Sequence, residues 1–170
     1  VAFNAATQTL TYSADAAAQD ALAAGATATD HFSYTVTDAA GATAVATVTV
    51  TVTGVNDAPV LVNPIADQNG TENQAFSFQV PVTAFSDVDT GDTLSYAATR
   101  ADGGPLRGWL VFNAASRTFT GTPGSADIGT FPIRVAATDS SGAQAADEFN
   151  LSVAAVPGVT LTGTAANDTL

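Results

Sequence analysis

Cysteine is absent from the 170 residues, which excludes disulfides and thiolate zinc sites and leaves the redox compartment unreadable from this feature. Lysine is absent too. The basic residues are four arginines, set against sixteen acids, for a formal net charge of −12. Affinity for nucleic acid comes from Lys and Arg neutralising phosphates, so nucleic acid is excluded as a partner, and an anionic membrane surface is excluded with it. Glutamate is scarce, with only Glu72 and Glu148. The acids are otherwise aspartate, which favours turns and hard-cation sites over helix surfaces. No run approaches the ~20 uncharged apolar residues a membrane helix needs, because the Ala-rich segment 14–28 carries Asp15 and Asp20, so no direct membrane insertion is expected. His31 is the single histidine; a lone His with no Cys or second His makes no metal triad, and serines without a paired base make no catalytic triad. The Gly/Ala-rich turns lack the spacing of a phosphate-cradling loop. No catalytic residue and no enzyme is expected.

The chain is 46% hydrophobic, enough to bury a core, and its length suits one to two domains. An acidic chain repels itself, which keeps it soluble but opposes the compact state until counter-ions bind. Val1 begins inside an alternating run. The sequence is expected to be an excised piece of something longer.

Residues 1–55 read as β with one exception. Asp15 to Ala24 is Ala-rich, a helical turn or two capped by Ser13 or Asp15 and stopped by Gly25. Phe32, Tyr34 and Val36 then alternate with polar residues up to the Asp38–Gly41 turn, and Ala46, Val48, Val50 and Val52 oppose Thr47, Thr49, Thr51 and Thr53. Only three or four strands can be counted here, whereas a sandwich takes about seven in ~100 residues. Residues 1–55 are therefore expected to be the C-terminal part of a β repeat, a partial sandwich. Residues 56–59 read as a linker ending in Pro59.

Residues 60–155 supply seven apolar runs separated by Gly, Pro, Asp and Asn turns: 60–62, 76–80, 94–98, 109–112, 117–120, 131–135 and 149–153. That spacing predicts an all-β fold, an antiparallel β-sandwich of the immunoglobulin type. Residues 156–170 change character at Pro157-Gly158 and approach a Gly/Asp repeat at Gly163 to Leu170.

Asp87-Val88-Asp89-Thr90-Gly91-Asp92 places three carboxylates in six residues between two strands. Such a loop repels itself unless a hard cation such as Ca²⁺, which takes about 6–8 oxygen ligands, sits among the carboxylates. Two further acidic turns answer it, Asn56-Asp57 and Asp139-Ser140-Ser141-Gly142. With the seven strands labelled A to G, the start of A and the B–C and F–G loops share one end of the sandwich. Asn56, Asp57, Asp87, Asp89 and Asp139 are thus the expected calcium ligands, with Asp92 as a further candidate. The order is not that of an EF-hand, which needs Gly at the sixth position and Glu at the twelfth. Magnesium demands stricter octahedral geometry. Glu72 and Asp92 as a glycosidase pair are discarded, since the A–B and B–C loops lie at opposite ends.

Pro59 to Val153, with Thr71-Glu72-Asn73-Gln74-Ala75-Phe76, Phe85 to Leu94, Trp109-Leu110-Val111-Phe112, Thr118 to Pro123 and Ala137 to Gly142, resembles a bacterial dystroglycan-type cadherin-like (CADG) domain. Residues 1–57 resemble the C-terminal part of a VCBS or cadherin-like repeat, and the tail resembles the start of an RTX array. The resemblance implies an interdomain calcium held by a linker Asn-Asp, an Asp-x-Asp loop and an Ala-x-Asp motif, matched here by Asp57, Asp87, Asp89 and Asp139, with Asn56 beside them. Glu72 matches the family's first-loop glutamate, which serves a site at the far end of its own domain.

Blander readings stand beside these. Asp87–Asp92 and Asp139 could be turn formers bonding their own backbone. Trp109, flanked by Leu110 and Phe112, reads as interior. The function expected is a non-enzymatic, calcium-binding structural or adhesive module, a stalk or extender of a large secreted bacterial surface protein of the RTX type, with calcium stiffening the interdomain junction. Its partners would be neighbouring repeats, other copies of the chain, or extracellular polysaccharide. The alternative is a calcium-dependent carbohydrate-binding module of a polysaccharide-active enzyme, which needs an exposed aromatic platform from Phe85, Tyr96 or Trp109.

Overall fold

The computed structural model describes residues 2–4, 6–7, 9–13 and 21–157. Residues 15–20 of the helical stretch expected over 15–24, and the RTX-like tail from residue 158, lie outside the described residues. What is described is β throughout, apart from a single turn of 3₁₀-helix at Ser125–Asp127. An all-β antiparallel sandwich follows, as the alternation requires.

Among the described residues thirteen strands run in chain order. They are β1 (Ala2–Asn4), β2 (Thr9–Thr11), β3 (Thr27–Thr37), β4 (Thr43–Thr53), β5 (Val60–Leu61), β6 (Gln68–Thr71) and β7 (Phe76–Gln79), then β8 (Phe85–Ser86), β9 (Ser95–Arg100), β10 (Leu110–Asn113), β11 (Thr118–Gly121), β12 (Gly129–Thr138) and β13 (Gln144–Ala154). They form a three-stranded sheet β10–β11–β7, a four-stranded sheet β6–β13–β12–β9, and the pairs β1–β2, β3–β4 and β5–β8. The first edge of the sandwich is thus formed by two short strands, of which only the first lies in an apolar run. Val60–Leu61 pairs antiparallel with Phe85–Ser86, while Gln68–Thr71 pairs parallel with Leu151–Ala154. Sequence alternation could not mark β6, because Gln-Asn-Gly-Thr carries no apolar face. It is held by the ladder and by Asp67, whose carboxylate accepts the backbone N–H and the side-chain Nδ2 of Asn150.

The chain divides into two compact units, one of Val1–Asn63, Val82–Tyr96 and Ala136–Ala146, the other of Pro64–Pro81, Ala97–Val135 and Asp147–Leu170. In the second, β7, β10 and β11 present Phe78, Phe112 and Phe119 to Phe149 of β13. Phe119 sits 4.6 Å from Phe112 and 5.8 Å from Phe149 between ring centres, and Phe78 lies 5.6 Å from Phe149. Offset and edge-to-face rings at these separations add to the area they bury. Trp109 packs edge-on to Phe76. Gly121 faces the Trp109 backbone so closely that a Cβ there would overlap it, so only glycine lets β11 pass.

In the first unit β3 and β4 pair over eleven residues, from Thr27↔Thr53 to Thr37↔Thr43. Their β-branched content favours the pleated surface. The turn is closed by Asp38, whose Oδ1 accepts the N–H groups of Ala40 and Ala42, both at 2.8 Å, with Gly41 at φ +87°. Gly54, just past β4, lies so close to the carbonyls of Leu22 and Ala23 that any side chain would collide with them.

Candidate metal centre

The turn between β12 and β13 repeats the Asp38 device. Asp139 Oδ1 accepts the N–H groups of Ser141 at 2.9 Å and Ala143 at 2.8 Å, and Gly142 takes φ +93°. The two aspartates differ in their second oxygen. Asp139 Oδ2 is reached by Asn56 Nδ2 at 2.9 Å, 83 residues away in sequence. Asp139 is therefore both the turn former and a member of a longer-range cluster.

The loop between β8 and β9 supplies the rest. Asp87 Oδ1 accepts Asp89 N at 3.0 Å, a local turn, and Asp89 Oδ2 accepts the backbone N–H of Asp57 at 2.9 Å. Asp92 Oδ1 accepts the hydroxyl of Ser140 at 2.7 Å. Carboxylate oxygens of Asp87, Asp92 and Asp139 lie within 4.8 Å of one another. The same loop is tied to residue 21 by a hydrogen bond from Thr90 N to Ala21 O of 3.1 Å.

Each expected ligand can now be located. Asp87, Asp92 and Asp139 converge, all within the first unit, while Asp89, in the same unit and the same loop as Asp87, is turned to the Asp57 backbone and is not one of the three grouped carboxylates. Asn56 enters through its side-chain amide, which also donates to Asp57 O. Asp57 enters through its backbone and is itself exposed. Glu72 stands apart in the second unit, where its Oε1 accepts Val156 N at 3.1 Å. Ser140 is the member sequence reasoning passed over; its position beside Asp139 in an acidic turn was the available signal. The Ala21 carbonyl carried none.

The electrostatics are unusual for aspartate. Among the described residues the buried charged side chains are Asp89 and Asp139, at 4% and 5% exposure. Burial raises the cost of ionising a carboxyl, yet Asp139 is held below the ordinary carboxylate range by the Asn56 amide first and by the turn N–H groups after it. Asp87 Oδ2, Asp89 Oδ1 and Asp92 Oδ2 are shielded from solvent and have no hydrogen-bond partner. A buried acceptor left unmade costs about 1–3 kcal/mol, more when charged. Hard anionic oxygens grouped this way are the donor set calcium takes. The residues present fit a divalent cation.

None of Phe85, Tyr96 and Trp109 is exposed. Phe85 is 4% exposed and packs on Tyr96 with rings 6.2 Å apart, and the Trp109 Nε1 is shut off from solvent. Trp109 is half-buried. His31 bonds Thr49 across the β3–β4 ladder, a surface pairing.

Residues 58–154 match the family described as "Putative Ig domain", and residues 1–51 match the model described as "Bacterial Ig domain". The chain belongs to the first of these families, over more than half its length. No curated protein matches it. Among solved structures it is similar to protocadherin gamma B2 extracellular cadherin domains 1–5, with 18% identity over 78% of this chain and 27% of that one, at a TM-score of 0.58. It is likewise similar to protocadherin gamma B7 extracellular cadherin domains 1–4, with 14% identity over 84% and 34% of the two chains and a TM-score of 0.57. An endo-fucoidan hydrolase of glycoside hydrolase family 107 aligns at 22% identity over 82% of this chain and 20% of that one, with a TM-score of 0.49. The chain spans between 17% and 34% of the length of such solved chains. The fold is cadherin- and Ig-like. Families of this kind are in general non-enzymatic, and bacterial ones are commonly extracellular. Among the described residues no helix is long and apolar enough to cross a membrane.

Proposed function

We propose that the chain is a calcium-dependent structural and adhesive module, a stalk or extender within a large secreted bacterial surface protein. The observation that supports this best is the trio of solvent-shielded, unpartnered carboxylate oxygens on Asp87, Asp89 and Asp92. A bound Ca²⁺ would supply the positive charge that these oxygens and Asp139 lack. Asp89 ties the linker to the loop through Asp57 N, and Asp139 does so from the neighbouring turn through Asn56. Neutralising the cluster removes repulsion between segments far apart in sequence, so the linker at 56–59 stiffens when calcium is present. Extracellular modules bind calcium at about 10⁻⁴–10⁻³ M, which would leave the chain loose inside a cell and firm outside it. Export of an RTX-type protein, with VCBS- and CADG-type repeats of the same polypeptide as neighbours, fits that behaviour.

Thermal melts test the proposal. Calcium at roughly ten to a hundred times its Kd stabilises by about 1.4–2.7 kcal/mol, a rise of a few degrees in Tm. Asp89→Asn is expected to abolish most of that rise. Equal melting temperatures with calcium and with chelator would refute the reading.

A further inference from the structure

A cleft lies in the other unit, where the turn after β9 faces the start of β12. Two of the chain's four arginines, Arg100 and Arg107, line one open cleft of about 230 Å³ with Asp102, Thr130, Phe131 and Pro132. In a chain of net charge −12 that concentration of cations is out of proportion.

Both guanidinium groups are held in place, and that of Arg100 is incompletely satisfied. Residues 100–104 form a tight turn: Arg100 N donates to Gly104 O at 2.9 Å, Gly104 N donates to Asp102 Oδ1 at 2.9 Å, and Gly103 takes φ +83°. The Arg100 guanidinium lies on the bare Cα of Gly104, where any Cβ would strike it. Its Nη2 meets Asp102 Oδ2 at 3.2 Å, while its Nε is shielded and has no acceptor. Arg107 stacks 4.0 Å above the centre of the Phe131 ring. Its carboxylate partner, Asp127, is 4.0 Å away and accepts the N–H of Gly124 with its other oxygen.

We propose that this cleft binds one acidic sugar unit, a hydroxylated ring bearing an oxyanion. A planar guanidinium recognises an oxyanion in fork geometry, and two of them facing one cleft define where that oxyanion sits. An arriving acceptor that turns the Arg100 head outward gives its Nε a hydrogen bond that the free protein lacks. Asp102 decides against a bare anion, which it repels. The same carboxylate accepts hydrogen bonds from ring hydroxyls beside the charged group. The volume is below the ~300 Å³ at which drug-sized pockets begin, so the cleft takes a single unit and not a stretch of chain. The oxyanion is either a uronate carboxylate or a sugar sulfate ester. The cleft shares no residue with the cation cluster, and the inference does not depend on it.

The test is an NMR titration of the full chain in chelator, at constant ionic strength, with four probes: an oligogalacturonate, a sulfated galactan oligosaccharide, a neutral galactan oligosaccharide and sodium sulfate. Selective shifts of the amides at 100–104 and 130–131 with an acidic oligomer support the proposal, and whichever of the two acts identifies the oxyanion. Arg100→Gln and Arg107→Gln are each expected to weaken that binding about tenfold or more, as loss of a charge-assisted hydrogen bond does. Asp102→Asn should weaken the acidic oligomer and strengthen sodium sulfate. The proposal is overturned if neither acidic oligomer moves these amides, or if neutral oligomer or sodium sulfate moves them equally. Should an arginine variant fail to fold, the selectivity of the unmodified chain among the four probes decides alone.

Discussion

Two aspartates in matching turns separate local chemistry from assembled chemistry. Asp38 and Asp139 each sit three residues before a left-handed glycine and accept two backbone N–H groups. Only Asp139 has a second oxygen taken up from a distant segment. Asp38→Ala should cost the two turn hydrogen bonds, on the order of 1–2 kcal/mol, and leave the calcium-dependent rise in Tm intact. Asp139→Ala should remove most of that rise. Melts of both variants with calcium and with chelator check the pair, and equal calcium responses would show that Asp139 is a turn former alone. The turn role of each residue was legible from Asp-x-x-Gly; the second role of Asp139 was not, because nothing within ten residues of it points to Asn56.

At the scale of elements, the β3–β4 hairpin and β2 are linked by a titratable contact. Tyr12, directly after β2, stacks on Phe32 of β3 with ring centres 6.4 Å apart. Burial first, and a hydrogen bond to Asp30 second, push the Tyr12 phenol above its ordinary value of 10.0. A raised folded pKa for an acid that is neutral below it means the contact contributes fully below about pH 10 and is lost as pH rises through the higher folded value. Ultraviolet titration of the three tyrosines should show one phenolate forming late. Asp30→Asn is expected to bring that step back toward the other two, and an unchanged late step would dissociate Tyr12 from Asp30. Element existence was readable wherever β-branched or aromatic residues alternate, as in β3, β4, β7, β12 and β13. It was not readable for β6 or β8. Four polar residues and a two-residue pair become strands only because a neighbouring strand offers them a ladder, which is tertiary information.

For the molecule as a whole, the imbalance of charge matters most outside the core. With sixteen acids and four arginines, long-range repulsion opposes folding at low salt. Raising NaCl from about 0.1 M to about 1 M shortens the Debye length from about 10 Å to about 3 Å. The melting temperature in chelator is therefore expected to rise with salt, and to rise less once calcium has neutralised the cluster. A melting temperature in chelator that falls or holds constant across that range would mean that self-repulsion is not what the counter-ion relieves. The amino-acid sequence by itself determined the β class, the seven apolar runs of the sandwich and the acidic character of three turns, because side-chain period and turn chemistry are local properties. The folded chain alone decided that Asp89 and Asp139 are buried, that Asp92 gathers with Asp87 and Asp139 while Glu72 does not, and that two arginines line one cleft, because burial and convergence depend on which strands become neighbours.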